Sequence, residues 1–459
     1  MNRWIVPGVA LAVVAAAVAG GPFLPVAMPP VDSVPVDAAR VSTLCPLADS
    51  TAVTQSFAAV SSSQPVRLAV LGQPDGADQK DLLTVVPDPA AWTRVSALAS
   101  DRFGAATWNS APDGAERGMS GTPCLEPSTE QWFTGVELTP DTQASLLLAN
   151  IDAMDAMADI TIWTTDGPGK AAGLGGVKVG AGQTTEVPLN VKLVATDPVA
   201  VRVSASKGRL VAYLRQRLWR GTQPRGADWI PPGTRPATTV IVPGVPAGAG
   251  SRKLVIANPG TAPVVVGAEF LGAGGVSALA GLDAIEVSPQ SVVTVPADAV
   301  IAEQEGALRL KATGAITAGM IASSGGKAEV TDPAFLAAVP RLGTDGLWPF
   351  PIPSGTNVSL QLTNTGTVQE AATVITATAP GKNENSQEVP IPAGSTVILK
   401  LPKSDMRLVR IQTVGTDLYG ALVASGKVGK LAGLAVVPLL SAEPTGDVAR
   451  VGYDPRVGA

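Results

Sequence analysis

A chain of 459 residues with a formal net charge of -5, and charged residues at only 15%, has no global field to draw a polyanion such as nucleic acid. The complete absence of histidine removes the commonest general base, the Ser-His-Asp and Cys-His arrangements, and most zinc and iron sites. With 49 glycines and 40 prolines, the composition also disfavours long helices and suits short strands joined by tight turns.

Trp4 to Met28 follow Arg3 without a single charge and are dominated by Ala and Val. At about 1.5 Å per helical residue, this segment is long enough to cross a hydrocarbon core of about 30 Å. With Arg3 and the free N-terminus inside, the expectation is a single-pass cell-membrane protein whose C-terminal bulk is extracytoplasmic. The alternative is a signal peptide cleaved after Ala17-Val18-Ala19, which gives a secreted protein. The apolar run continues past that point through Phe23, Leu24 and Val26, which favours the anchor. Residues 29–40 are proline-rich and aperiodic, as an extended linker is.

Four β-repeats are expected next, at 41–127, 128–235, 236–345 and 346–442. Their signature is a β-like triplet centred on arginine: Thr93-Arg94-Val95, Val201-Arg202-Val203, Leu308-Arg309-Leu310 and Val409-Arg410-Ile411. The triplets stand about a hundred residues apart, and each is followed about ten residues later by an alanine in a second β-like run, at Ala105, Ala212, Ala318 and Ala421. Two markers keeping step over four copies imply a tandem repeat. Cys45 and Cys124 bracket the first copy. In an exported chain an even count reads as a disulfide, with two separate buried thiols the alternative. The bridge would close a loop of about 80 residues, worth roughly 4 kcal/mol on the chain-entropy account, and so offset the small core of a short terminal copy that caps the array.

Repeats two to four share a fuller grammar. An opening strand at Trp132-Phe133-Thr134, Thr239-Val240-Ile241 or Trp348-Pro349-Phe350 leads to a strand that ends in Asn150, Asn258 or Asn364. In two copies that asparagine starts an Asn-x-Gly-Thr turn, at Asn258-Pro259-Gly260-Thr261 and Asn364-Thr365-Gly366-Thr367, suited to side-chain-to-backbone bonding and positive φ. A second strand, a Gly-rich or polar excursion, a strand opening near Gln183, Gln290 or Gly394, and the arginine and alanine strands complete the unit. Six or seven strands per hundred or so residues predict an all-β fold of tandem immunoglobulin-like β-sandwiches, each with its own core; a β-propeller of small blades is the alternative. Residues 443–459 lose the alternation and read as a loose tail.

Little in this pattern carries chemistry. Ser204-Ala205-Ser206-Lys207 and Ser324-Gly325-Gly326-Lys327 have the Ser-x-x-Lys spacing of penicillin-binding proteins. Both fall at strand ends or turns, and no Lys-Thr-Gly accompanies them. Asp152, Asp155 and Asp159 lack the alternating oxygen ligands and central glycine of a calcium loop, so a solvated connection is expected. No catalytic residue, cofactor or metal site is assigned, and the chain is expected not to be an enzyme. The strongest local feature is the basic span from Arg202 to Arg235, in which Asp228 is the single acid. Within it Arg209, Tyr213, Arg215, Arg217, Trp219, Arg220, Arg225 and Trp229 form a candidate partner contact, since cations and aromatic faces suit anionic sugars outside a membrane. The alternative is a polar strand face plus tryptophans that plug the joint between repeats two and three. The four repeat arginines point away from their apolar neighbours, to the wet face or the next repeat, and are not assigned as sites.

The Ala/Val-rich anchor, Cys45-Pro46, the Gly-Met-Ser-Gly-Thr-Pro-Cys124 closure, Gln131-Trp132-Phe133-Thr134-Gly135 and the later repeats together resemble an actinobacterial family of membrane-anchored, extracytoplasmic β-repeat proteins of unknown function. That resemblance implies a cell-envelope location near glycan-assembly enzymes and supplies no activity. The expected function is a non-catalytic anchored scaffold or binding module for an envelope protein or anionic glycan. The alternatives are an accessory subunit of a membrane complex in envelope glycan assembly and, less favoured, a histidine-free hydrolase.

Overall fold

The computed structural model describes residues 40–47, 54–87, 91–324, 331–352, 356–403 and 408–440. The expected anchor at 4–28, nearly all of the linker and the tail at 443–459 lie outside them. Among the described residues no helix is long and apolar enough to cross a membrane.

Strands account for almost all regular structure, because Val, Ile, Leu and Thr alternate with polar residues at period two and glycine or proline stops each run. The first sandwich holds β1 (Arg40–Cys45), β2 (Thr54–Ser61), β3 (Arg67–Val70), β4 (Leu83–Pro87), β5 (Thr93–Leu98), β6 (Phe103–Ala111) and β7 (Gly118–Pro123). The second holds β8 (Glu130–Val136), β9 (Thr142–Ala149), β10 (Ala156–Thr164), β11 (Gly167–Pro168), β12 (Val177–Val179), β13 (Thr184–Pro188), β14 (Val199–Lys207), β15 (Val211–Arg220) and β16 (Gln223–Ile230). In the third are β17 (Ala237–Val245), β18 (Arg252–Asn258), β19 (Val264–Gly272), β20 (Gly275–Ala278), β21 (Ile285–Val287), β22 (Ser291–Pro296), β23 (Gly306–Ser323) and β24 (Pro333–Ala337). The fourth comprises β25 (Asp345–Pro349), β26 (Asn357–Asn364), β27 (Glu370–Ala377), β28 (Asn385–Ile391), β29 (Thr396–Lys400), β30 (Leu408–Thr413), β31 (Leu418–Val428) and β32 (Leu431–Pro438).

One antiparallel arrangement recurs in all four. In the first sheet the arginine strand lies between the opening strand and the second strand: β1-β5-β3, β8-β14-β10, β17-β23-β19 and β25-β30-β27. The facing sheet runs β4-β2-β6-β7, β13-β9-β15-β16, β22-β18-β23-β24 and β29-β26-β31-β32. Each repeat is therefore a pair of sheets around a core, an immunoglobulin-like layering, and not the paired blades of a propeller. In the third copy the arginine and alanine strands are one continuous element, β23, which leaves one sheet and enters the other at a corner near Gly314.

The four arginines occupy the same place, and each pairs with a carboxylate: Arg94 with Asp75, Arg202 with Glu130, Arg309 with Glu269 and Arg410 with Asp345. The alanine marker holds in three copies only. Ala105, Ala212 and Ala318 lie opposite Ala59, Leu148 and Ile256, whereas Leu362, the matching residue of the fourth copy, lies opposite Gly420. Ala421 is one position out, which at period two turns it to the other face.

The repeat asparagines explain why the Asn strand ends where it does. Asn258 Nδ2 donates to the carbonyls of Ala262 (2.8 Å), Ser288 (3.1 Å) and Val287 (3.2 Å), while its Oδ1 accepts the Gly260 N–H (2.9 Å). Asn150 and Asn364 repeat this pattern with Met154 and Val179, and with Val368 and Ile391. One buried amide thus closes the turn and ties it to a neighbouring connection, satisfying carbonyls that would otherwise be stranded.

Each repeat has its core, the first built of Phe57, Val95 and Phe103, but the cores are not sealed from one another as expected: they run on into their neighbours. Phe133 and Leu146 of the second sandwich share a cluster with Val255, Ile321 and Phe335 of the third. Leu254 and Leu336 of the third share one with Ala421, Val423 and Val436 of the fourth. The fourth returns to the first through Trp108 and Met119 packed with Leu360 and Leu422, and the first meets the second where Leu44 and Leu125 pack on Tyr213 and Trp229. The first repeat is therefore not the cap of an open array but one quarter of a closed circuit. Cys45 and Cys124, with Cα atoms 4.4 Å apart, form the expected disulfide and join the end of β1 to the residue after β7.

Candidate functional site

The last strands of the four sandwiches converge, β7 and β24 each packing against both β16 and β32. Such an approach of backbones needs residues without bulk. A Cβ on Gly226 of β16 would lie 2.3 Å from Pro333 Cδ of β24, and one on Gly433 of β32 would lie 2.7 Å from Met119 Cγ of β7. Glycine at these two positions lets the strands touch.

Buried charge gathers at this junction. Glu116, on the turn before β7, is 3% exposed, and it faces Arg215 and Arg217 of β15. Arg215 Nε donates to Glu116 Oε2 at 2.9 Å and Arg217 Nε to Oε1 at 2.5 Å. The Arg215 guanidinium also lies over the Trp229 ring, 4.8 Å from its centroid. Burial alone would raise the Glu116 pKa, but the two arginines outweigh burial and hold it below its usual value.

Two further acids complete the group. Asp332 Oδ2 accepts the Met119 N–H of β7 (2.8 Å) and the Leu434 N–H of β32 (2.9 Å), so one carboxyl from the third sandwich pins the first and the fourth. Asp228 of β16 accepts its neighbour Trp229 N–H (2.7 Å) and, more loosely, Phe335 N–H of β24 (3.4 Å). Burial pushes both carboxyls well above the usual range, with Arg215 pulling each partly back. Both are therefore disposed to carry a proton, and Asp332 Oδ1, which has no partner among the described residues, is free to hold one.

These positions decide the candidate contact in the basic span. Tyr213, Arg215, Arg217 and Trp229 are buried and cannot meet a partner. Tyr213 donates its hydroxyl to Leu44 O (2.6 Å), accepts the Leu125 N–H (2.8 Å), and meets Trp92 and Trp229 edge-on. This aromatic plug fills the joint between the first and second sandwiches, not that between the second and third. Arg209 is exposed but held by both oxygens of Asp152. What stays at the surface is the β15–β16 hairpin, with Trp219 and Arg225 half-buried, Arg220 exposed, and neither arginine in an ion pair among the described residues. Asp228 stands out in the sequence as the lone acid of a basic span, whereas Glu116 and Asp332 do not. No local signal marks those two: Asp113 stands three residues before Glu116 and Glu329 three before Asp332, so neither acid is isolated in the sequence.

The weaker motifs carry nothing further. Asp152, Asp155 and Asp159 go separately to Arg209, Lys178 and the Gly176 N–H, and no acidic cluster suited to a metal occurs among the described residues. Ser204 lies within β14, and Ser324 accepts the Asp332 N–H, with Lys327 outside the described residues.

Against known proteins, a family profile described as a family of unknown function (DUF5719) matches residues 84–402. No curated protein matches the sequence. A solved structure, the BSP domain of a biofilm associated protein, aligns at 9% identity over 92% of this chain and 99% of that one with a TM-score of 0.12, a likeness that carries no argument.

Proposed function

We propose, from the premise that the chain belongs to the DUF5719 family, that it is a non-catalytic cell-envelope protein: a membrane-anchored scaffold that holds an envelope protein or anionic glycan outside the bilayer. The observation that carries this reading is the junction itself. Glu116, Asp228 and Asp332 lie on three sandwiches and hold strands of all four, so the body is built to keep its surfaces in fixed relation. The Cys45–Cys124 bridge supports a position outside the reducing cytoplasm. The conspicuous arginines are consumed internally, which leaves the hairpin tip at Trp219, Arg220 and Arg225 as the contact favoured for a polyanion.

Retention of the purified protein on immobilised anionic wall polymer tests this contact. Retention should fall with salt, and Arg220→Glu with Arg225→Glu should weaken it about tenfold, as loss of exposed charge contacts does. Equal retention of variant and parent removes the hairpin from the contact. Equal retention on a neutral polymer removes the anionic partner.

A further inference from the structure

The outward face of the sheet β29-β26-β31-β32 is polar along β26, where Asn357, Ser359, Gln361 and Thr363 alternate with the core residues Val358, Leu360 and Leu362. At one end the polar residues are occupied. Gln361 Nε2 donates to Val245 O of the third sandwich, and Thr363 meets Thr396, whose hydroxyl donates to Leu271 O. At the other end the third and fourth sandwiches part, leaving a cleft of about 410 Å³.

The strand register sets its floor. Ser359 lies opposite Lys400 on β29 and Val423 on β31, while Asn357 lies opposite Ser425. None of Asn357, Ser359 and Ser425 makes a side-chain hydrogen bond among the described residues, and neither Lys400 nor the neighbouring Lys403 is in an ion pair there. The far wall is the Pro246-Ala247 backbone with Glu305. That wall is fixed, because the buried Arg252 donates to the carbonyls of Pro246 (2.7 Å), Gly248 (3.1 Å) and Ala247 (3.3 Å). Val423 and Leu434 add an apolar patch at the bottom.

We propose that this cleft binds an acidic sugar, a saccharide unit bearing a carboxylate or phosphate. The two lysines take the anion. The unpartnered hydroxyls and amide, with Glu305 as acceptor, suit ring hydroxyls, and the apolar patch suits the C–H face of the ring. Cavities of about 300 Å³ and upward accommodate small ligands, so one or two sugar units match the space. The proposal shares a ligand class with the scaffold reading but uses a different surface, so the hairpin variant serves as its control.

Isothermal titration of the full chain with glucuronate, glucose 6-phosphate, inorganic phosphate and glucose separates the possibilities. At least one acidic sugar should bind, about tenfold or more tighter than glucose or free phosphate. Lys400→Glu with Lys403→Glu should weaken that binding about tenfold or more. Ser425→Trp, which fills the cleft without changing its charge, should abolish it, and the hairpin variant should leave it unchanged. No heat from either acidic sugar at about 20 mM overturns the proposal, as does binding that survives both cleft variants or is matched by glucose or by phosphate alone.

Discussion

Replacing Glu116 by glutamine keeps the shape of the junction and removes its negative charge. Two guanidinium groups then remain at the joint of the first and second sandwiches, Arg215 with its side chain 2% exposed and Arg217 at 10%. Breaking a buried pair by removing one partner costs about 3–5 kcal/mol, because the survivor is left uncompensated. The structure argues for the lower end, about 3 kcal/mol, since Asp228 and Asp332 both feel Arg215 and either can give up its proton to replace the lost charge. Urea unfolding followed by tryptophan emission reads this directly, because Trp229 lies against Arg215. If Asp332 is the reserve, Asp332→Asn added to Glu116→Gln should cost more than the two single changes summed. A Glu116→Gln protein within about 1 kcal/mol of the parent would refute the reasoning, since that is the range of an exposed pair. Strict additivity would refute the role of Asp332 alone.

The carboxyl of Asp332 has a raised pKa in the folded chain, so the native state binds its proton more tightly than the unfolded state does. Its unfavourable contribution is absent at low pH and grows as pH rises from the usual 3.8 toward the folded value. Glu116 works the other way, contributing stability above its usual 4.5 that is lost as pH falls through its lowered folded value. Asp332→Asn keeps an acceptor for Met119 and Leu434, so its stability relative to the parent should rise as pH climbs above the usual 3.8; urea midpoints that stay parallel with pH would contradict the raised pKa. Asn258→Ala strands buried carbonyls and should cost about 1–3 kcal/mol in the same unfolding assay, with Asn258→Asp at least as costly because a carboxylate cannot donate to Ala262 and Val287. An aspartate variant as stable as the parent would show that those carbonyl bonds contribute nothing.

The repeat was legible because its markers are local. A triplet such as Val201-Arg202-Val203 declares a strand by alternation alone, and Asn258-Pro259-Gly260 declares the turn that follows Leu254 to Ala257. The slip at Ala421 shows the limit of that reading: a spacing counted along the chain tolerates one residue more or less, but a ladder does not, and the register selects Gly420. The junction was not legible, because its bonds join residues far apart in sequence. Arg215 reaches back 99 residues to Glu116, and Asp332 reaches back 213 to Met119. Nothing local to Arg215, Arg217 or Trp229 distinguishes a basic surface strand from one turned inward onto a distant acid, so half of the expected contact proved to be interior.

The return of the fourth sandwich to the first has a bearing on how the molecule is made. A chain synthesised from its N-terminus presents β7 early, with Trp108 and Met119 lacking the β32 residues Gly433 and Val437 that will cover them. Until the final hairpin arrives, the oldest part of the protein waits with an uncovered flank, locked internally by Cys45–Cys124 but open to the wrong neighbour. Late truncations should therefore damage the beginning of the molecule as much as its end.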